Sequence, residues 1–367
     1  MAAVAALMLA LASCGGGGST GAASTAAGRS ANLAAALRFL PATANASYTF
    51  QFADWSAIEQ AFGVTTGRLR SKAGQVLQEH LNKLGSPPAG NAEFDLNSIP
   101  GAIWAASDVA WDASYEPISG GAPVSVTGFR PEFQLSSVEH YLTRCGFTAH
   151  SVGGVPVYSA ALGATLDCAG PLGDRLPLPA TNYAVEAQNH LVVLSASPSS
   201  ISAALSNQSS RNVSPVVQSL AQALLPSSAI ALGVGPRLCA ELAQPSFLAG
   251  RVATPQQVQR AEHMYLPAAP YAGFGFGYTY SGSGVSGRLA FTYSDPQTAH
   301  KDLAAREHTL RTGVSLQSGR AYATSVRVKS GAVTGRTAIL QLGPATGGRL
   351  ELALMLDHLD LGFARCG

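Results

Sequence analysis

No stretch of this sequence is apolar for long enough to cross a bilayer. The apolar run from Ala2 to Ala12 is eleven residues long, whereas a helix needs about 20 to span the roughly 30 Å of hydrocarbon. Charge of one sign is also lacking: 23 basic residues stand against 21 acidic ones, for a formal net charge of +2, with no basic stripe along the sequence. Nucleic acid is therefore excluded as the expected partner, because phosphate binding needs concentrated positive charge. The sequence contains no G-x-S-x-G elbow, H-E-x-x-H, S-x-x-K or P-loop. Each absence removes a familiar class of enzyme.

What is present begins at the N-terminus. Ala2 to Ala12 is long enough for the apolar core of an export signal, and Leu11-Ala12-Ser13-Cys14 follows it directly. An apolar residue and two small ones before a cysteine resemble a bacterial lipobox, where small side chains admit the signal peptidase and only a thiol accepts the diacylglyceryl group. Gly15 to Ser30 is all Gly, Ser, Thr and Ala apart from Arg29, a composition that suits a tether. These features predict a signal peptide over 1–13 and a lipidated Cys14 with its tether over 14–46. A start upstream of Met1 is compatible with the short signal.

Five cysteines leave one over in an exported protein, where thiols pair. Assigning Cys14 to the lipid leaves Cys145, Cys168, Cys239 and Cys366, an even set with three possible pairings. If each half closes its own bridge, the pairs are Cys145 with Cys168 and Cys239 with Cys366.

With 367 residues, the length suggests two domains or a duplicated unit. Tyr48 to Phe52 alternates as a strand, Asp54 caps a helix to Phe62, and a second helix runs over Ser71 to Leu84. Val124 to Phe129 reads as a strand, and Ser136-Ser-Val-Glu139 reads as a capping box opening a helix with Val138, Tyr141, Leu142 and Cys145 on one face. Hairpins follow around Gly153-Gly154 and between Tyr183 and Ser195, and then a helix from Pro198. The second half repeats this order, with strands near Ala229, Phe274, Arg288, Tyr322, Thr337 and Leu350 and helices at Val216, Gln256 and Pro296. The expected fold is α+β, with antiparallel sheets, helices packed on one face and, as one reading, a duplicated strand-helix-hairpin unit. The expected domains are 47–226 and 227–367.

Three groupings invite chemistry. Gly282-Ser-Gly-Val-Ser-Gly287 fits G-x-G-x-x-G, but a strand follows where a dinucleotide site needs a helix N-terminus, so a hairpin turn is expected and no cofactor. Asp357-His358-Leu-Asp360 lacks further nominated ligands, so no metal is expected. Asp108, Asp112 and Glu116 would share a helical face with Trp104 and Trp111 alongside, as in a carbohydrate site, although such spacing more often marks a core stripe and a solvated face. No catalytic residue is nominated.

The lipobox, the tether, Tyr48 to Phe62 (YTFQFADWSAIEQAF) and the strand-helix-hairpin unit at Val124 to Ser159 together resemble the cell-envelope lipoproteins of actinobacteria. That resemblance implies a location on the extracytoplasmic side of the cell membrane, held there by the lipid. The function expected is a binding or interaction module for a small molecule, lipid or envelope polymer. The alternative is an exported hydrolase with a site built from dispersed residues.

Overall fold

The computed structural model describes residues 26–41, 47–64, 70–85, 108–118, 120–160, 182–210, 212–235, 268–282, 284–315, 320–345, 348–350 and 361–366, with a few single positions between them. Seven α-helices lie among these residues: α1 (Ala26–Leu37), α2 (Trp55–Ala61), α3 (Arg70–Leu84), α4 (Ser136–Arg144), α5 (Pro198–Ser210), α6 (Pro215–Leu224) and α7 (Pro296–Thr312). The strands are β1 (Tyr48–Ala53), β2 (Val109–Pro117), β3 (Val124–Phe129), β4 (Thr148–Val152), β5 (Val155–Ser159), β6 (Asn182–Glu186), β7 (Leu191–Ser195), β8 (Ala229–Val234), β9 (Gly273–Ser281), β10 (Gly284–Thr292), β11 (Val326–Thr334) and β12 (Thr337–Pro344). They form one 12-stranded sheet in the order β11-β12-β10-β9-β8-β1-β2-β3-β7-β6-β5-β4, with every pair antiparallel.

The fold is thus α+β with antiparallel pairing, and the duplication is visible in its topology. Reading outward from the centre, β1-β2-β3 is a meander, and α4 leads to strands whose last member, β7, returns beside β3. Outward the other way, β8-β9-β10 is a meander, and α7 leads to a hairpin whose last member, β12, returns beside β10. The first half adds the hairpin β4-β5 at its edge. The halves divided near residue 226 are not separate bodies, because β1 and β8 pair along Tyr48↔Val234 to Ala53↔Ala229.

Period-two alternation sends neighbouring residues to opposite sides of the sheet. Ala229 and Ala231 of β8 join one cluster, with Trp55 and Ile58 of α2, Leu77 and Leu81 of α3, Val138 and Leu142 of α4 and Leu310 of α7. Ile230 and Leu232 of the same strand join the other, with Leu33 and Leu37 of α1, Ile201 and Leu205 of α5 and Leu220 and Leu224 of α6. The helical layer expected on one face is present, and α1, α5 and α6 form a second layer on the opposite face. On β9 the division is sharpest. Phe274, Phe276, Tyr278 and Tyr280 face the first cluster, while a Cβ on Gly273 or Gly275 would fall 2.9 Å from Val216 or 3.0 Å from Leu224 of α6. Glycine there lets α6 approach the sheet backbone closely.

Several local expectations need correction. The segment read as a tether is helical from Ala26, because Leu33, Ala36 and Leu37 make an i, i+3, i+4 stripe that buries with Phe39 and Leu40. The capping box is not used: α4 starts after Leu135, with no side-chain cap, and Ser137 donates its hydroxyl to the Gln134 carbonyl instead. The carboxylate of Asp54 does accept from the Ala57 N–H at 2.8 Å, and that of Asp295 from the Thr298 N–H at 2.8 Å. The strand expected near Tyr322 begins after a 3-10 turn over Tyr322–Thr324. The helix expected over Gln256 to Met264 and the strand at Leu350 to Leu356 lie almost wholly outside the described residues.

Candidate functional site

Cys14, Cys168, Cys239 and Asp357 to Asp360 lie outside the described residues. Cys145, buried at the end of α4, and Cys366 are both disulfide-bonded. The glycine motif at Gly282 to Gly287 sits in a hairpin, where Ser281 pairs with Gly284 and β10 follows. The carbohydrate grouping does not assemble. Its segment is strand β2, in which residues four apart are separated by about 13 Å, so Asp108, Asp112 and Glu116 do not stack as on a helix. Trp104 packs in the α2–α4 cluster and Trp111 in the α1–α6 cluster, on opposite faces of the sheet. Trp111 also lies over Gly128, where a Cβ would come within 2.2 Å of its ring, so it is a core side chain rather than a sugar platform.

Two buried ionic groups were not legible as sites. Glu59 on α2 accepts from the Arg130 guanidinium at 2.5 Å, the two side chains being 8% and 15% exposed. Burial pushes the Glu59 carboxyl up to about 7, against the opposing pull of Arg130 and with a further push from Asp54. Asp54 is raised as well, again chiefly by burial, although it accepts from Ala57 and from Asn32 of α1. A carboxyl near neutrality suits proton transfer, but Arg130 is its only side-chain hydrogen-bond partner among the described residues. The pair joins α2 to the end of β3.

The second group is larger. Arg306 on α7 donates through Nε to Asp302 at 2.8 Å, through Nη1 to the carbonyls of Phe363 and Arg365, and through Nη2 to the carbonyl of Ala269 at 2.9 Å. Asp302 also accepts from the Ala269 N–H at 2.6 Å and from the Tyr293 hydroxyl. The guanidinium lies 4.6 Å from the Phe291 ring centroid and 5.2 Å from that of Tyr271. These charges are paired with each other and with backbone, which is the pattern of a structural clamp. It fastens the C-terminal turn at Gly362–Ala364 and the lead-in to β9 onto α7.

A cleft of about 470 Å³ opens between α6 and the β11–β12 turn, lined by Ser219, Gln222, Arg288, Thr334, Arg336 and Thr337 among others. Arg288 donates to the carbonyls of Ala223 (3.1 Å) and Leu225 at the end of α6, where a cation complements the helix dipole. Arg336 is half-buried, and its guanidinium has no hydrogen-bond or ion-pair partner among the described residues. Among the described residues, no carboxylate lines the cleft.

The cleft continues onto a basic face. Arg288 pairs with Gln341 on β12, and Gln341 pairs with Ser330 on β11, so these side chains share a side of the sheet. Arg327 pairs with Gly343, two residues along, and the Lys329 stem lies over Gly343, its Cε 2.5 Å from where a Cβ would be. Arg288, Arg327, Lys329 and Arg336 thus gather on one surface. The charge balance read along the sequence is not kept there. Arg327 and Lys329 at strand spacing are the local signal for it; the other two come from β10 and the turn.

No family model matches the chain, and no curated protein matches it. Among solved structures, crystal form I of TP0453 is similar at 9% identity, over 89% of this chain and 97% of that one, with a TM-score of 0.38. Crystal form III of TP0453 gives 9% identity, 87% and 96% coverage and a TM-score of 0.38.

Proposed function

We propose that this chain is a lipid-anchored, extracytoplasmic binding or interaction module of the cell envelope, with Cys14 as the acylated residue. The observation that carries the reading is the order of the N-terminal features: an eleven-residue apolar run, Leu11-Ala12-Ser13-Cys14, then a Gly- and Ser-rich stretch. The disulfide-bonded state of Cys145 and Cys366 supports export, since such bonds persist in oxidising compartments. Among the described residues no helix is long and apolar enough to cross a membrane, so an anchor of this kind would have to come from outside them. Among the described residues, the Glu59–Arg130 and Asp302–Arg306 clusters brace the fold, and an open polar cleft lies between α6 and the β11–β12 turn, which favours binding over catalysis.

Two or more acyl chains give durable anchoring where one does not. Cys14→Ser is therefore expected to move the protein from the salt-washed membrane fraction to the soluble fraction. A variant that stays in the membrane fraction through high-salt and carbonate washes would refute the assignment of Cys14.

A further inference from the structure

We propose that the α6 side of β10, β12 and β11 docks onto anionic phospholipid headgroups, with the Arg288–Arg336 cleft receiving a headgroup phosphate. This orientation rests on the lipid-anchor reading.

The first argument is charge. Four cations occupy this surface, and the sequences of α6, β10, β11, β12 and the turn between the last two contain no Asp or Glu. The surface therefore carries more positive charge than the net +2 of the whole chain. A merely solvated face mixes both signs; among the described residues, this one does not. Arg327, Lys329, Ser330, Thr334 and Gln341 are exposed, so the face is open. Hydroxyls of Ser219, Thr334 and Thr337 and the Gln222 amide add neutral donors beside the two guanidiniums of the cleft, a set suited to phosphate oxygens.

The second argument is the internal repeat. In the first half, the matching side of β3, β7 and β6 is covered by α5, whose Ile201, Ala204 and Leu205 bury with Val126, Ala184 and Val193. In the second half, α6 covers β10 only as far as Arg288, whose guanidinium it meets with the carbonyls of its last turn, and beyond it the corresponding strands present Gln341, Ser330 and Arg327 instead. An apolar helix would not cover those side chains without burying unpaired charge, whereas an anionic surface would neutralise them.

The third argument is position. α1 packs on this same side of the sheet, and eleven residues separate Cys14 from its start at Ala26, a span of at most about 40 Å. From β1 to β11 is five strand spacings in the sheet order, about 24 Å. An anchored Cys14 can thus reach a bilayer that touches the basic face.

The test uses the full chain carrying Cys14→Ser, so that no acyl group contributes, in sedimentation with vesicles of phosphatidylcholine alone or mixed with phosphatidylglycerol. Binding is expected to the mixed vesicles only and to fade as salt is raised, because the Debye length falls from about 10 Å at 0.1 M to about 3 Å at 1 M. Each cation near an anionic surface contributes roughly fivefold, so Arg327→Gln with Lys329→Gln should weaken binding about 25-fold. Both residues are exposed, and folding should be undisturbed. Arg144→Gln with Lys301→Gln removes the same charge from exposed positions on α4 and α7, across the sheet, and should change binding by less than about twofold. Equal binding to both vesicle types, or an equal loss in the control pair, would overturn the proposal. Displacement by soluble glycerol phosphate would also overturn it, by making the cleft a site for free anions. Acylation is tested separately by the fractionation of the Cys14→Ser variant, so the two readings fail independently.

Discussion

Replacing Arg306 by Met keeps most of the volume of the side chain and removes its charge. Arg306 is 1% exposed and its partner Asp302 is 3% exposed, so the change strands a buried carboxylate and withdraws the donor from the carbonyls of Ala269, Phe363 and Arg365. Breaking a buried pair by removing one partner costs about 3–5 kcal/mol. The Tyr293 hydroxyl and the Ala269 N–H still donate to Asp302, which argues for the lower half of that range. With an unfolding entropy of about 2.1 cal/mol/K per residue, 367 residues unfolding together convert this loss into a fall in Tm of about 4–5 °C. Denaturant melts of Arg306→Met, Asp302→Asn and the double variant would measure it, and the double variant should lose markedly less than the sum of the singles. Amide exchange offers a local readout, because the N–H groups of Ala364 and Arg365 donate within the turn that Arg306 holds and should exchange faster in Arg306→Met. A loss below about 1 kcal/mol, the range of exposed ion pairs, with unchanged exchange at that turn, would refute the clamp.

Phe291→Ala should cost about 3–5 kcal/mol, since the ring is 1% exposed and touches Arg306 and Phe274; a thermal midpoint within about a degree of the parent would contradict its burial. Glu59, whose carboxyl rises from 4.5 to about 7 on burial, contributes stability that is fullest below pH 4.5 and is lost as the pH rises through 7, by at most about 3 kcal/mol. Glu59→Gln should remove that slope, and parallel pH–stability curves for the two proteins would disprove it. Peptide mapping without reduction should recover Cys145 linked to Cys168 and Cys239 linked to Cys366, the first loop being worth roughly 3 kcal/mol in the chain-entropy model; a Cys145–Cys239 peptide would exclude the half-by-half scheme.

The elements legible in the sequence are those whose cause is local. Asp54 and Asp295 cap helices that start at the next residue, and the Gly153-Gly154 turn, with φ of 58° and 86°, closes β4 onto β5 with the register its flanking residues imply. β2 was hidden by Trp104 and Trp111, seven apart, and by acids four apart, all at helical spacing. Its burial alternates at Val109, Trp111, Ala113 and Tyr115, a period of two that the helical coincidence masks. α1 was hidden by composition, since Ala, Gly and Ser between Ala26 and Leu37 dilute a stripe whose apolar members bury once they meet the sheet. The ionic clusters and the basic face were illegible for a different reason. Glu59 meets Arg130 across 71 residues, and Arg288 meets Gln341 only through strand register, so their environments exist only once the sheet has formed.

Helix length explains why the basic face is open. A helix rises 1.5 Å per residue and strands lie about 4.8 Å apart, so the ten residues of α6 cover about 15 Å, or roughly three strands. Those are β8, β9 and β10, where the β9 glycines admit the helix. In the first half α1 and α5 together extend the cover as far as β6. The helix reaches β12 only at Ile339, so the rest of β12 and the edge strand β11 are polar on this side, at Gln341, Ser330 and Arg327. Edge protection alone accounts for charge on β11, since lysine on an edge discourages further strand pairing. It does not account for Arg336 in the turn, and Arg288 on an interior strand is placed by the carbonyls at the end of α6. Nor does the opposite edge use the same device, for β4 reads Thr-Ala-His-Ser-Val, without lysine or arginine. The cations thus follow the open surface beside α6 rather than the edges of the sheet.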